Sequence, residues 1–165
     1  VFAIILLFDF YYCLLVNEFL EFLQMNTTSR FEDKGDGTLV DHESGLVWSK
    51  EDSWPVAQDW LTFQEALQFV DDMNKKDYLG YKDWRIPERE EIEKIFIPDS
   101  TIMARSNSEI HLDPLFSTGG GNASWCLPFD QQAAFYFSYS SGNAQQFDQD
   151  YSQGYVRLVR LYPDD

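Results

Sequence analysis

The sequence predicts an α+β domain: an antiparallel sheet with two packed helices and long loops. Short alternating segments around Asp-Gly turns open the body, two stretches of helical spacing occupy its middle, and alternating aromatic segments close it. A chain of 165 residues suits one domain with a substantial core. Its 17% aromatic content predicts a core rich in rings, which favour pleated, half-buried surfaces.

Taken in order, Phe31-Glu32-Asp33 and Thr38-Leu39-Val40 flank Lys34-Gly35-Asp36-Gly37. An Asp-Gly between alternating segments predicts a hairpin, because the favoured tight turns need positive φ. His42-Glu43-Ser44-Gly45 then turns the chain into Leu46-Val47-Trp48, which completes a small meander. Thr62-Phe63-Gln64-Glu65 has the form of a capping box, and Phe63, Ala66, Leu67, Val70 and Met73 follow at helical spacing. That helix should end near Asn74. Pro87 sets the first turn of a second helix, with Glu88, Glu90 and Glu91 at its N-terminus, where the dipole favours acids. Ile92, Ile95 and Phe96 supply its buried stripe. From Pro98 to Asn122 the pattern is irregular, with a Gly119-Gly120-Gly121 run; loops of that length are functional or disordered. Phe135, Phe137 and Tyr139 alternate on one face of a strand, Gly142-Asn143 turns, and Tyr155 to Leu161 makes the last strand.

Residues 1–24 read as an apolar leader, and 25–165 as a single domain. Val1 to Val16 is apolar apart from Asp9, yet no Lys or Arg precedes Arg30 and no small-residue cleavage site is visible. A span needs about 20 apolar residues, and Asp9 would sit near its middle. A truncated signal anchor, a packing helix, and upstream sequence joined to a start at Met25 all remain open.

The formal net charge is −16. Without residues 1–24 the chain loses three acids (Asp9, Glu18, Glu21) and no base, which leaves −13. Such a balance repels phosphate backbones and anionic lipid, which excludes nucleic acid as a natural partner, and it disfavours sulfated polysaccharide. Acidity instead suits solubility, cations and neutral ligands. Two cysteines, Cys13 and Cys126, make no disulfide framework.

Three segments carry a wider pattern: Arg30 to Thr38 running on to Gly45-Leu46-Val47-Trp48, then Gly80-Tyr81-Lys82-Asp83-Trp84-Arg85-Ile86-Pro87, and last Tyr155-Val156-Arg157-Leu158-Val159-Arg160. Together they resemble the Lcl C-terminal domain family, a bacterial domain of unknown function named for the end of a collagen-like surface adhesin. The resemblance implies structural roles for Asp36, Gly37, Trp48, Trp84, Arg85, Pro87, Trp125, Arg157 and Arg160. It also implies a cell-envelope or extracellular setting. Relatives often carry one cysteine on the first helix and one in the last strand; Leu158 holds the strand position here and the helix has none. A staple of that kind contributes about 2–4 kcal/mol, which packing must replace here, and its loss weakens any inference of an oxidising compartment. Glu88 stands where relatives place a capping Thr. The Arg85-Ile86-Pro87-Glu88 run also looks like the strand-to-helix turn of formylglycine-generating-enzyme-like domains, which implies a C-type-lectin-like topology.

Asn143, Gln145, Gln146, Asp148, Asp150 and Tyr151 read as one polar loop beside Tyr155, combining amides, carboxylates and a ring as carbohydrate sites do. A mobile, solvated loop is the plainer account. Asp33, Asp36 and Asp41 surround the first turn, but they lack the register of a calcium loop, and turn chemistry explains them. No cofactor is expected, with calcium the one candidate. Trp48, Trp84 and Trp125 read as core rings, whereas Trp54 and Trp60, flanking Pro55, are candidates for an exposed aromatic patch. Arg85, Arg157 and Arg160 read as an ion-pair lattice with acids such as Asp83 or Asp41, tying the last strand to the Trp84 segment. Cys126 would need a nearby base to act as a nucleophile, and neither His42 nor His111 stands in a motif. The reading is a non-enzymatic binding module for a glycan or protein ligand, with a structural, self-assembling homo-oligomer as the alternative.

Overall fold

The computed structural model describes residues 29–129 and 132–163. The chain divides into two units, 1–30 and 31–165; the expected leader lies outside the described residues. Among those residues, no helix is long and apolar enough to cross a membrane.

The body is α+β, built on antiparallel pairings. Strands β1 (Phe31–Asp33), β2 (Thr38–Asp41), β3 (Leu46–Asp52) and β9 (Arg157–Leu161) form one sheet in the order β1-β2-β3-β9. Strands β6 (Ala123–Phe129), β7 (Ala133–Ser138) and β8 (Asn143–Asp148) form a second, and β4 (Ile102–Met103) pairs with β5 (Glu109–Ile110) in a third. Helix α1 (Trp54–Ala57) is short, α2 (Phe63–Lys75) has thirteen residues, and α3 (Arg89–Lys94) has six. The expected single sheet is thus divided. The long irregular stretch, read as loop throughout, contains the β4–β5 hairpin.

Local chemistry places these elements. Asp36 Oδ1 accepts both the N–H and the hydroxyl of Thr38 at 2.9 and 2.6 Å, which shapes the β1–β2 turn. Gly37 there has φ 93°, and a Cβ on it would press 2.8 Å from Leu79. The α2 capping box is complete: Thr62 Oγ1 accepts from Glu65 N–H, and Glu65 accepts from Thr62 N–H. At α3, the Glu91 carboxylate accepts the Glu88 N–H at 2.8 Å, so the helix start is held from within despite the missing Thr.

Alternation along the strands creates two apolar clusters, one on each side of the sheets. Leu39, Trp48 and Val159 meet Phe137, Tyr139, Ile92 and Ile95 in the first. Val40, Val47 and Leu158 meet Trp125, Ala134, Phe63 and Ala66 in the second. The two longer helices therefore close different clusters: α3 the first, α2 the second. Burying each large apolar side chain stabilises the fold by about 1.5–3 kcal/mol, which gives packing the capacity to replace a staple.

Candidate functional site

The six residues read as one binding loop do not share a surface. Asn143, Gln145, Gln146 and Asp148 lie in β8, a strand at the edge of its sheet. Asn143 and Gln145 stand opposite Ser138 and Tyr136, while Gln146 and Asp148 stand opposite Phe135 and Ala133. Alternate residues face opposite sides, so the four divide between two faces. Asp148 Oδ1 accepts the N–H groups of Asp150 and Tyr151 at 2.9 and 3.1 Å, a turn device. Tyr151 is 86% exposed. The segment reads as loop in the sequence because Asn, Gln and Asp suit strands poorly and little of β8 is covered.

The acids around the first two turns already have partners within the sheet and its turns. Asp33 accepts from Gly35 N–H and pairs with Lys50, while Asp41 accepts from Glu43 N–H and the Ser44 hydroxyl. Among the described residues no group of three His, Cys, Asp or Glu side chains is placed to hold a metal ion.

The arginine lattice forms in part. Arg160 Nε donates to Asp83 Oδ1 at 2.7 Å and its guanidinium lies 4.1 Å from the Tyr81 ring centre, which ties β9 to the Trp84 segment. Arg85 instead forks onto Glu91 of α3 at 2.7 and 2.6 Å. Burial pushes the Glu91 carboxyl up, but the hydrogen bonds from Arg85 and Glu88 N–H outweigh it and hold the group below its usual range. Arg157 is fully buried and pairs with backbone rather than a carboxylate. Its Nη1 donates to the carbonyls of Ser49 and Lys50 at 2.9 and 2.6 Å, where β3 bulges away from β9. The Phe116 ring covers its face at 4.8 Å, while Nε and Nη2 have no partner. Sequence reading could not foresee this, because bulge carbonyls have no signature of their own.

A more coherent surface lies at α1. Trp54, Trp60 and Tyr155 form a corner, with Trp54 centred 6.5 Å from Trp60 and 6.1 Å from Tyr155. Trp60 is 52% exposed, yet its Nε1 donates to Tyr155 Oη at 2.7 Å, so the ring is held as a shelf. Tyr155 is fixed in turn: its N–H donates to Tyr136 Oη, and its ring packs so closely on Gly121 that a Cβ there would lie 2.1 Å away. Only glycine permits that approach.

Beside the corner runs a small, open cleft lined by Glu51, Asp52, Pro55 and Ser117 to Gly120. Its enclosed space is about 40 Å³, against roughly 300–1,000 Å³ for whole-ligand pockets, so it takes no more than a small group. Asp52 forms its rear wall, accepting the N–H groups of Trp54 and Gly121. The far wall is locked by Arg105 N–H to Gly120 O at 2.7 Å and Gly119 N–H to Met103 O at 2.8 Å. The glycine run, read as a functional or disordered loop, is ordered backbone here. The Trp54–Trp60 pair is visible in the sequence as a candidate patch, while Glu51, Asp52, Arg105 and Tyr155 have no local signal that joins them to it.

Cys126 lies buried in β6, and desolvation pushes its thiol up to about 12. Trp48, Trp84 and Trp125 are all buried. None of the curated proteins matches this chain. The family model of the Lcl C-terminal domain matches residues 37–160, about three-quarters of the sequence. That span runs from the turn glycine Gly37 through the Trp84 segment to Arg160, and the chain belongs to the Lcl C-terminal domain family.

Proposed function

We propose that this domain is a non-enzymatic binding module of the bacterial cell envelope or surface, C-type-lectin-like in topology, which takes a glycan or protein ligand at the Trp54–Trp60–Tyr155 corner. The observation that carries the reading is the Trp60 shelf, exposed yet anchored by its own N–H, beside a cleft lined by the Glu51 carboxylate and the hydroxyl residues Ser117 and Thr118. A sugar presents hydroxyls and an apolar face, and an interface residue presents an apolar stem and a polar tip; both match such a surface. A buried thiol pushed far above neutral supports the non-enzymatic reading, since a thiol is a poor nucleophile. The spent turn acids favour binding without calcium. The test is a glycan array with the full chain, in calcium and in chelator, repeated with Trp60→Ala. Binding that survives chelator and vanishes in the variant is expected; binding unaffected by the substitution overturns the corner as the site.

A self-assembling structural role is the second reading, favoured by Leu161 and Tyr162, 65% and 42% exposed beside the last strand. Its measure is the molar mass in solution across a concentration series.

A further inference from the structure

The corner already holds a cation, and it is the chain's own. The Arg105 guanidinium lies 3.9 Å from the centre of the Trp54 ring. Arg105 is exposed, and among the described residues no carboxylate pairs with it. Its backbone is fixed by Gly120, so its side chain is the movable part. A ring trio with the exposed Glu51 carboxylate alongside has the chemistry that recognises ammonium and guanidinium groups, through the negative ring faces and a nearby carboxylate. The chain carries a net charge of −16, and between Arg105 and Arg157 it has no Lys or Arg. Its field therefore draws basic partners and repels acidic ones.

We propose that the corner docks a basic segment of a partner protein, and that Arg105 is a built-in competitor for the Trp54 face. This rests on the corner being the binding surface, and it narrows the protein ligand to one carrying exposed Arg or Lys. An exposed cation–π contact contributes about 0.5–1 kcal/mol, so an incoming side chain backed by further contacts displaces Arg105 readily. Arg105 then sets a threshold: an isolated cation gains little over the resident one, whereas a segment with several cations gains from the carboxylate and the field as well.

The test uses a fluorescently labelled octa-arginine peptide with the full chain, titrated at low and moderate salt. Arg105→Ala should tighten binding about two- to fivefold, the equivalent of the released contact. Removing any cation strengthens the field, so Lys76→Ala serves as the charge-matched control. Lys76 is exposed at the far end of α2, about 20 Å along the helix from the corner. Trp60→Ala should weaken binding in both salts, and Trp54→Leu should remove the gain seen in Arg105→Ala, with melting curves confirming that each variant folds. Equal tightening by Arg105→Ala and Lys76→Ala overturns the competitor role, because the field alone then explains it. Peptide binding indifferent to Trp60 and Trp54 overturns the basic-partner inference. If Trp60→Ala still abolishes binding to a glycan array, the corner remains the site; if it alters neither ligand, the corner reading falls too.

Discussion

The five tryptophans of this chain divide by place, and the division separates scaffold from surface. Trp48, Trp84 and Trp125 sit in family-pattern segments and are at most 2% exposed. Trp84 shows what that position requires: its Nε1 donates to Tyr78 O at 2.8 Å, its backbone exchanges two hydrogen bonds with Asn74, and Tyr81 meets it edge-on at 5.7 Å. Trp54 and Trp60 lie outside those segments. Their hydrogen bonds orient the corner rather than close a core. A ring with every face covered serves folding, whereas a ring anchored at one edge with a face to solvent is available for recognition.

Trp84→Ala is the most severe way to break this comparison. Truncating a core ring costs about 3–5 kcal/mol, a large share of a single domain's stability, so the variant should unfold or melt far below the parent. A melting curve settles it, and a fully stable variant would remove the Trp84 segment from the scaffold.

Arg157→Met comes next, and two effects oppose each other there. The substitution removes a buried cation with two unpartnered nitrogens, which on its own favours the variant. It also strips the donor from the bulge carbonyls of Ser49 and Lys50, at about 1–3 kcal/mol for each acceptor left buried. We expect a net loss of about 2 kcal/mol in denaturant unfolding, since both carbonyls depend on one group. A neutral or stabilised variant would place Arg157 with the surface tryptophans, as a group kept for something other than stability.

How much of this is legible in the sequence follows the range of the interactions. The β1–β2 turn and the α2 capping box are local: Asp36 acts on Thr38 and Thr62 on Glu65, so the residues that need each other stand within three positions. Trp48, Trp84 and Trp125 are readable as core through apolar context and family pattern. The arginine partners are harder, because Arg85 has several acids within reach and only the placement of α3 selects Glu91. The corner is the least legible. Its ring Trp54 meets Arg105 through a hairpin of two-residue strands, and Trp60 meets Tyr155 across 95 positions. Strand β8 misleads for a different reason: a polar edge strand carries no apolar alternation, and Asp148 suits a turn and a ligand site equally well.

Glu91→Gln sharpens the scaffold side through pH. The native Glu91 carboxyl sits below its unfolded value, so the folded state binds that proton less readily than the unfolded chain. Its contribution is therefore complete above the unfolded value, near 4.5, and is lost as pH falls through the folded one. Replacing it should cost about 1 kcal/mol at neutral pH, reduced from the usual charged hydrogen bond because Arg85 is one-third exposed. As pH falls below the unfolded value the gap between parent and variant should narrow. A gap constant from neutral pH down to acid would mean that packing at the α3 start, rather than the charge, holds Arg85 and Glu91 together.

Trp60→Ala should have the smallest effect on folding and the largest on recognition. The ring is half exposed and its loss removes one hydrogen bond to Tyr155, so unfolding should shift by less than about 1 kcal/mol. If the corner is the binding surface, truncating its aromatic anchor should weaken the ligand by about 2 kcal/mol or more, roughly thirtyfold. The contrast between the two numbers is the informative quantity, because a scaffold ring such as Trp84 would give the reverse. Tyr155→Phe separates anchoring from contact: it keeps both rings but frees the Trp60 Nε1. Weaker binding in Tyr155→Phe, with stability unchanged, would show that the shelf works because it is held still before the ligand arrives. Equal binding in parent and variant would leave area alone as the source of affinity.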